Sequence, residues 1–440
     1  MTRFMIAGTN SGCGKTTVTC AILSALKKRG KDISAFKCGP DYIDPMFHRQ
    51  AIGIPSHNLD CFFCNDKMLK TILRKYSGEV SIIEGVMGFY DGGKSSSYCI
   101  SEITKTPVII VIDCKGMSNS IGAVMKGFLD YCKPNNIAGF IFNRLSERVI
   151  PLAKKMCREL GTKYFGSFPK SDIIFESRQL GLVTSDEVEN IMEKLDKLGE
   201  LAEKYMCLDM MLGLKADELN DDMPLIKTAY NSPLIAVAKD NAFCFQYAEN
   251  ISLLEEMGCR IQYFSPIDDN RLPEADGLIL CGGYPEIYVK KLSLNISMRE
   301  SIKNAVLSGM PTIAECGGFM YLHRELTDEN GKIYPMAGVI DASVFPTKKL
   351  QRFGYAEMVA SIDNLLCRNG ETIKIHEFHY WDSTSCGNGF TAKKNDGSEY
   401  LCCHMNDALY AGFPHLYFYS NIDIAKRFVS KCIIYGGKNG

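Results

Sequence analysis

Phe4-Met5-Ile6-Ala7-Gly8-Thr9-Asn10-Ser11-Gly12-Cys13-Gly14-Lys15-Thr16-Thr17 stands at the start of the chain and decides its fold. The apolar run Phe4–Ala7 reads as a strand, and Thr16–Lys28 as a helix, with a glycine-rich loop between them. Glycines let backbone N–H groups turn inward toward phosphate oxygens. The N-terminus of the following helix adds the positive end of its dipole. At this spacing Gly12, Cys13, Gly14 and Thr17 surround the phosphates of a nucleotide. Lys15 reaches the β- and γ-phosphates, and Thr16 ligates Mg²⁺. The usual pattern has a glycine where Thr9 stands, so this is a variant loop with Gly8 one place earlier. The plainer reading is a glycine-rich turn that merely contains Gly-Lys-Thr. The strand before it and the helix after it argue against that.

Outward from the loop, short β-branched runs alternate with helical stretches. Ile33–Lys37, Val80–Glu84, Pro107–Asp113 and Ile137–Asn143 read as strands. Such alternation implies an α/β fold with a parallel sheet covered on both faces. Glu84 ends an apolar strand just before Gly85-Val86-Met87-Gly88, where an acid from a second strand holds Mg²⁺. Lys37-Cys38-Gly39-Pro40-Asp41-Tyr42-Ile43-Asp44-Pro45 packs a lysine and two aspartates into a loop after a strand. Ligands in α/β sheets bind at such loops, although composition alone allows an ordinary polar turn.

A helical segment rich in Lys and Glu spans Val188–Leu212. The chain then turns polar over Lys215–Asn231 and ends that stretch in Asn-Ser-Pro, a linker signal. The expected division is an ATP-binding domain over 1–214, a linker over 215–231 and a second domain over 232–440. In that second domain Leu234–Ala238, Cys259–Phe264, Gly277–Leu280 and Pro311–Ala314 read as strands, and Phe245–Met257 and Met298–Ser308 as helices. A β-rich region follows, with Gly338–Val344, Tyr355–Ala360, Ile373–Tyr380 and Tyr417–Tyr419. The fold expected is therefore α/β, as two doubly wound domains.

Thr312-Ile313-Ala314-Glu315-Cys316-Gly317-Gly318-Phe319 is a strand, a sharp turn carrying a cysteine, and a helix start. Small glycines permit the strained turn that exposes a nucleophile. The helix N-terminus supplies N–H groups for an oxyanion, with Gly317 the first of them. Upstream, Cys281-Gly282-Gly283-Tyr284 is a second glycine loop after a buried strand, and the backbone of Gly282 and Gly283 completes the oxyanion hole. A thiol nucleophile needs a base, and His415 is the best-placed candidate. With 18 other cysteines a buried structural thiol is the default for any one of them, and the Glu-Cys-Gly-Gly turn is what sets Cys316 apart. His376 and His379 lie three apart on a strand and so face opposite sides. Cys61-Phe62-Phe63-Cys64 has no partner pair and reads as structural.

The 440 residues suit two domains. A 46% hydrophobic and 23% charged composition is that of a soluble globular protein. The formal charge of −1 offers no nucleic-acid footprint and no polybasic membrane patch. No apolar run suits a membrane span or a signal peptide. The 19 cysteines, an odd number, fit free thiols in a reducing cytoplasm rather than a disulfide framework.

Together these segments resemble the cobyrinate a,c-diamide synthase family over nearly the whole chain. The likeness rests on Gly8–Thr17, Lys37–Pro45, Glu84–Gly92, Glu315–Leu322 and His376–Tyr380. It implies a dethiobiotin-synthetase-like ATP domain fused to a class I glutamine amidotransferase domain, with Mg²⁺ as cofactor. The implied reaction takes ammonia from glutamine and, driven by ATP, amidates the a and c acetate side chains of a corrin polycarboxylate through an acyl phosphate. It further implies that Asp41, Tyr42 and Asp44 lie near the reacting carboxylate, that Asp44 joins Thr16 and Glu84 at the metal, and that Asn143 faces the adenine. Many class I glutaminases carry His-x-Glu, in which the glutamate orients the histidine. Here that position is Tyr417, so the implied glutaminase works with a Cys316–His415 pair. Ile375 stands where the family often has glycine.

Nickel-sirohydrochlorin and hydrogenobyrinate stay open as substrates, since these motifs do not separate the tetrapyrroles. Cobyric acid synthase suits the Gly39–Pro45 loop less well. A partitioning-type ATPase switch would carry a second lysine where Asn10 stands and would lack the cysteine elbow. The sequence does not set the oligomeric state, and a homodimer stays open.

Overall fold

The computed structural model describes residues 2–170, 185–219 and 232–439. The chain divides into two compact units, Met1–Met223 and Pro224–Gly440. Of the expected linker, residues 220–231 lie outside the described residues, while Lys215 forms an isolated antiparallel bridge with Thr2.

The first unit is built on strands β1 (Thr2–Gly8), β2 (Ile33–Cys38), β3 (Ser56–Leu59), β4 (Val80–Glu84), β5 (Val108–Asp113), β6 (Ile137–Asn143) and β7 (Lys163–Phe168). They form one sheet in the order β3-β2-β4-β1-β5-β6-β7, and every neighbouring pair is parallel. Helices cover the sheet, so central strands such as Val80–Glu84 are buried at every position. That explains their unbroken apolar sequences. The helix Lys15–Lys28 packs Val18, Ile22, Ala25 and Leu26 into the core with Ile6, Ile82 and Ile109. It lies against the helix Ser185–Tyr205, which with Leu208–Leu212 makes up the helical segment expected from the sequence. The edge strand β3 and edge strand β7 were not foreseen. Ser-His-Asn-Leu is polar, and Gly166 interrupts β7 with a register shift.

In the second unit the strands are β8 (Leu234–Ala238), β9 (Arg260–Phe264), β10 (Gly277–Leu280), β11 (Thr312–Glu315), β12 (His323–Thr327), β13 (Ile333–Pro335), β14 (Ile340–Ala360), β15 (Thr372–Ser383), β16 (Phe390–Lys394), β17 (Glu399–Cys402), β18 (His404–Met405), β19 (Leu409–Gly412) and β20 (His415–Leu416). One sheet runs β18-β19-β11-β10-β8-β9, parallel except for β18. The other runs β13-β12-β14-β15-β20, with β16 paired to β14 off this path and β17 paired to β16.

Three expectations need correction. The separate strands expected at Gly338–Val344 and Tyr355–Ala360 are parts of one strand, Ile340–Ala360, because its pairing with β15 carries on through register shifts between Pro346 and Gly354. The helix expected over Phe245–Met257 begins only at Ala248, because Phe245 instead donates its N–H to Gly282 at 3.0 Å. The strand expected at Tyr417–Tyr419 is a short 3-10 turn over Phe418–Ser420. Asn250 holds it there: its amide donates to the Leu416 carbonyl and its oxygen accepts from Phe418 N–H, each at 2.8 Å. Among the described residues no helix is long and apolar enough to cross a membrane.

Candidate functional site

The phosphate loop follows the central strand β1. Gly14 precedes the helix with φ of 98°, a conformation that costs an L-residue about 1–2 kcal/mol. A Cβ there would also lie 2.2 Å from Asn143 Nδ2, and one on Gly8 would lie 2.3 Å from Cys13 Sγ. Asn143, at the end of β6, donates to the Cys13 carbonyl at 2.9 Å and so props the loop from beneath. Lys15 Nζ bridges the loop, donating to the carbonyls of Asn10 at 3.0 Å and Met87 at 2.5 Å.

The parallel register brings the second segment to the loop. Ile6 of β1 and Lys37 of β2 both pair with Glu84 of β4. Thr16 donates its hydroxyl to Glu84 Oε1 at 2.7 Å, and Lys37 Nζ donates to the same oxygen at 3.0 Å. Lys37 also donates to Asp44 and stands 3.8 Å from Asp41. Asp41 Oδ1 accepts from the N–H groups of Ile43 at 2.9 Å and Asp44 at 3.2 Å, so it shapes the turn in which Tyr42 precedes the helix Ile43–Phe47. Burial alone would lower the Lys37 ammonium, but Asp44, Glu84 and Asp41 outweigh it and push it well up. Burial alone would raise the Glu84 carboxyl, but Lys37, His48 and Thr16 outweigh it and hold it well below the usual range.

His48, which the sequence reading did not single out, is fully buried with Nε2 3.5 Å from Glu84 Oε2. Its Nδ1 lies 3.1 Å from the Ser56 hydroxyl on β3. The signal for it was faint: a histidine four residues past Asp44.

Among the described residues no three His, Cys, Asp or Glu side chains gather as a metal cage. Mg²⁺ does not need one, since it takes one or two carboxylates and draws its other oxygens from water and phosphate. Glu84 Oε2 is buried with only His48 Nε2, at 3.5 Å, facing it among the described residues, the Thr16 hydroxyl lies beside Glu84, and Lys37 links Glu84 to Asp44. This all-oxygen set fits the ion.

The second constellation forms where three adjacent parallel strands end together. Leu280 of β10 pairs with the strand residue of β11 next to Glu315, namely Ala314, and Glu315 pairs with Gly412 of β19. Cys316 follows β11 with φ 45° and ψ −102° and starts the helix Gly317–Leu322. A non-glycine residue in that region is strained and persists only where its surroundings fix it. Its N–H donates to the Gly412 carbonyl at 2.8 Å, and its carbonyl accepts from Met320 N–H at 2.9 Å. The Gly282–Gly283 loop lies over this elbow: a Cβ on Gly317 would meet Pro285 Cδ at 2.9 Å and Gly283 N at 3.0 Å. His415 arrives from β20, which pairs His415 with His376 of β15.

His415 is buried beside Cys316 and Glu315. Burial alone would lower its pKa, but hydrogen bonding and charge from those two residues outweigh it and carry it up to about 10. Glu315, also absent from the sequence reading of the site, has Oε2 3.5 Å from His415 Nδ1. Its only sequence signal was its place directly before the cysteine. Tyr417 is fully buried with its ring edge-on to Tyr247 at 4.9 Å. His376 and His379 occupy opposite faces of β15: His376 meets Phe353 and Tyr355, while His379 stacks on Phe413 at 3.9 Å and bonds Glu377 at 2.9 Å.

Thus Gly12–Thr17, Asn143, Glu84, Asp41 and Asp44 come together in the first unit, and Cys316, Gly317, Gly282, Gly283 and His415 in the second. Residues 4–183 match the CobQ/CobB/MinD/ParA nucleotide binding domain family, and residues 234–422 the CobB/CobQ-like glutamine amidotransferase domain family. Cobyrinate a,c-diamide synthase of Caldanaerobacter subterraneus subsp. tengcongensis is 40% identical over 451 residues, which cover 99% of each chain. The protein of the same name from Thermoplasma volcanium is 38% identical across 99% of this chain and 98% of its own. That from Clostridium acetobutylicum is 38% identical across 98% of this chain and all of its own. With both domains in the same order and identity sustained from end to end, the chain belongs to the cobyrinate a,c-diamide synthase family.

Proposed function

We propose that this protein amidates the a and c side-chain carboxylates of cobyrinate, using ATP and ammonia freed from glutamine, in the cytoplasmic synthesis of cobalamin. The observation that carries the reading is the presence in one chain of a phosphate loop whose Thr16 meets Glu84 and a strained cysteine elbow facing a buried histidine. Neither alone specifies amidation. Together they supply an activated acyl group and a source of nitrogen.

A free carboxylate is a poor acyl donor because its leaving group would be oxide. Transfer of the γ-phosphoryl group of ATP to a carboxylate oxygen gives an acyl phosphate, whose leaving group is phosphate. Lys15 and the loop amides bind the phosphates, and Asn143, which keeps the loop in shape, would face the adenine. Thr16, Glu84 and Asp44 would hold Mg²⁺, which would supply neutralisation of phosphate charge. Asp41, Tyr42 and Asp44 lie where the substrate carboxylate would approach, and Lys37 fixes the two aspartates.

In the second unit the Cys316 sulfur attacks the glutamine side-chain carbonyl with the proton of the pair already resting on His415. Backbone N–H groups of Gly317 and the Gly282–Gly283 loop take the oxyanion. His415 returns the proton to the departing nitrogen, ammonia leaves, and a thioester remains. Water, giving a proton to His415, then releases glutamate. Ammonia displaces phosphate from the acyl phosphate, and a second round amidates the second side chain. A reducing cytoplasm accords with all 19 cysteines being free thiols.

The test is to supply the purified protein with ATP, Mg²⁺ and glutamine, and with cobyrinate, hydrogenobyrinate or nickel-sirohydrochlorin in separate reactions. Mass spectrometry should find two successive carboxyl-to-amide conversions of cobyrinate. A product only from one of the other two tetrapyrroles would sink the assignment of substrate.

A further inference from the structure

Glutamine hydrolysis by Cys316 and His415 leaves one requirement unmet in the proposed function. A histidine that must hold a proton beside the sulfur and pass it to the departing nitrogen has to be held in one orientation. In many glutaminases of this class a glutamate two places after the histidine does so, and here Tyr417 stands there. Tyr417 is fully buried, edge-on to Tyr247. It carries no charge to offer.

We propose that Glu315, the residue directly before the nucleophile, is the positioning residue for His415. The inference rests on the glutaminase reading above and on a separate set of contacts. Glu315 Oε2 is 3.5 Å from His415 Nδ1. Its other oxygen, Oε1, accepts from the N–H of Leu416 at 3.2 Å. One carboxylate therefore meets two consecutive residues of β20: it lies 3.5 Å from the ring nitrogen of the first and accepts from the backbone of the second. With Nδ1 turned to Glu315, Nε2 is the ring nitrogen left to meet Cys316.

The backbone fixes this arrangement. Glu315 pairs with Gly412 across β11 and β19, and the Cys316 N–H donates to the Gly412 carbonyl. Successive side chains of a strand point to opposite sides, but the sharp elbow at Cys316 breaks that alternation and lets residues 315 and 316 both approach one ring. The strain at φ 45° thus has a second product besides an exposed thiol: acid, thiol and imidazole come from two short segments.

Burial gives the contact its weight. Glu315 is 7% exposed and His415 2% exposed. A carboxylate taken out of water needs partners, and removing one member of such a pair is far costlier than at a surface. Cys316 and Glu315 both raise the pKa of His415. His376, its cross-strand neighbour, has its own pKa pushed down to about 3 by burial, then by His415 and Lys394. His376 is therefore neutral at working pH and does not compete for the negative charge.

The experiment compares glutamine-fed and ammonium-fed amidation across pH for wild type, Glu315→Gln and Glu315→Asp. The ammonium-fed rate reports on the ATP site alone. Glu315→Gln keeps the shape and an acceptor for Leu416 but removes the charge. Its glutamine-fed kcat should fall about 10- to 100-fold, up to the lower end of the roughly 100- to 10,000-fold that a complete acid–base group contributes, while the KM for glutamine stays near wild type. The alkaline limb of the glutamine-fed profile should move toward acid by about one unit or more, as expected when a carboxylate beside a histidine is lost. Glu315→Asp, with its charge drawn back by one methylene, should fall between. A wild-type kcat and an unmoved limb in Glu315→Gln would overturn the proposal and leave Glu315 a strand tie. If Glu315→Gln does not fold, Glu315→Asp decides: wild-type glutamine-fed kcat and limb in it overturn the proposal equally. Failure of the glutaminase reading itself looks different, since wild type would then hydrolyse no glutamine.

Discussion

Gly282 and His415 are packed so closely that a Cβ on Gly282 would lie 2.5 Å from His415 Cε1. The loop cannot retreat easily, because the Gly282 carbonyl accepts from Phe245 N–H at 3.0 Å and Tyr284 N–H donates to Ala242 at 2.9 Å. Gly282→Ala should therefore displace the imidazole from its place beside Cys316. A displacement of this size at a reacting group costs about 100-fold. The expected result is that loss in glutamine-fed kcat, with ammonium-fed amidation kept, read from paired assays on the same preparation. An unchanged glutamine-fed rate would mean that the loop yields instead.

Cys316 offers two separable readouts. Cys316→Ala should abolish glutamine-dependent amidation and spare the ammonium-fed reaction. A variant that still used glutamine normally would refute the assignment of the nucleophile. The backbone at φ 45°, ψ −102° adds a stability comparison between two inactive variants. Glycine adopts that conformation without the Cβ clash, so Cys316→Gly should be more stable than Cys316→Ala by about 1 kcal/mol or more. Chemical denaturation of both variants measures the difference.

The parts of each site that lie within one turn of chain were legible in the sequence. Gly14, Lys15 and Thr16, and likewise Cys316 and Gly317, are constrained by spacing along a strand, a tight loop and a helix start. The position of Glu84 was legible for the same reason, as an acid ending a buried strand. What escaped was what depends on register between distant strands. Lys37 and His48 reach Glu84 only because β2 lies beside β4 and β3 beside β2, and Ser-His-Asn-Leu does not announce itself as a strand. Glu315 was read as part of a turn, since nothing local places it beside a residue one hundred positions later. Tyr417–Tyr419 looked like a strand by composition, and the clamp from Asn250 turned it into a 3-10 turn.

The buried group around Glu84 makes a prediction that separates the two units. Glu84 is fully buried and bonded by Thr16 and Lys37. Glu84→Gln removes a hard anionic oxygen from the proposed Mg²⁺ site and leaves Lys37 with Asp44 and Asp41. Amidation should fall at least 100-fold with either nitrogen source, while glutamine hydrolysis persists, as expected for lost electrostatic stabilisation. Breaking one partnership of a buried ion pair also costs stability, about 3 kcal/mol. Calorimetric titration with Mg²⁺ and ATP checks the binding loss. Retained amidation with ammonium would remove Glu84 from the site.

His415 ties catalysis to stability through pH. Its pKa, raised to about 10 in the folded chain by Cys316 and Glu315 against burial, compares with about 6.5 for an unfolded histidine. The folded state holds this proton more tightly, so its stabilising contribution is complete below about pH 6.5 and is lost as the pH climbs through about 10. The urea midpoint of the second unit should therefore decline from pH 7 to 10. His415→Asn has no such proton to lose, and its decline over the same range should be shallower. Glutamine-fed turnover should show an alkaline limb in the same window, and the ammonium-fed rate should lack it. Equal slopes for wild type and His415→Asn would show that the imidazole proton is not held by the fold, and would remove the physical basis for its role as the acid that releases ammonia.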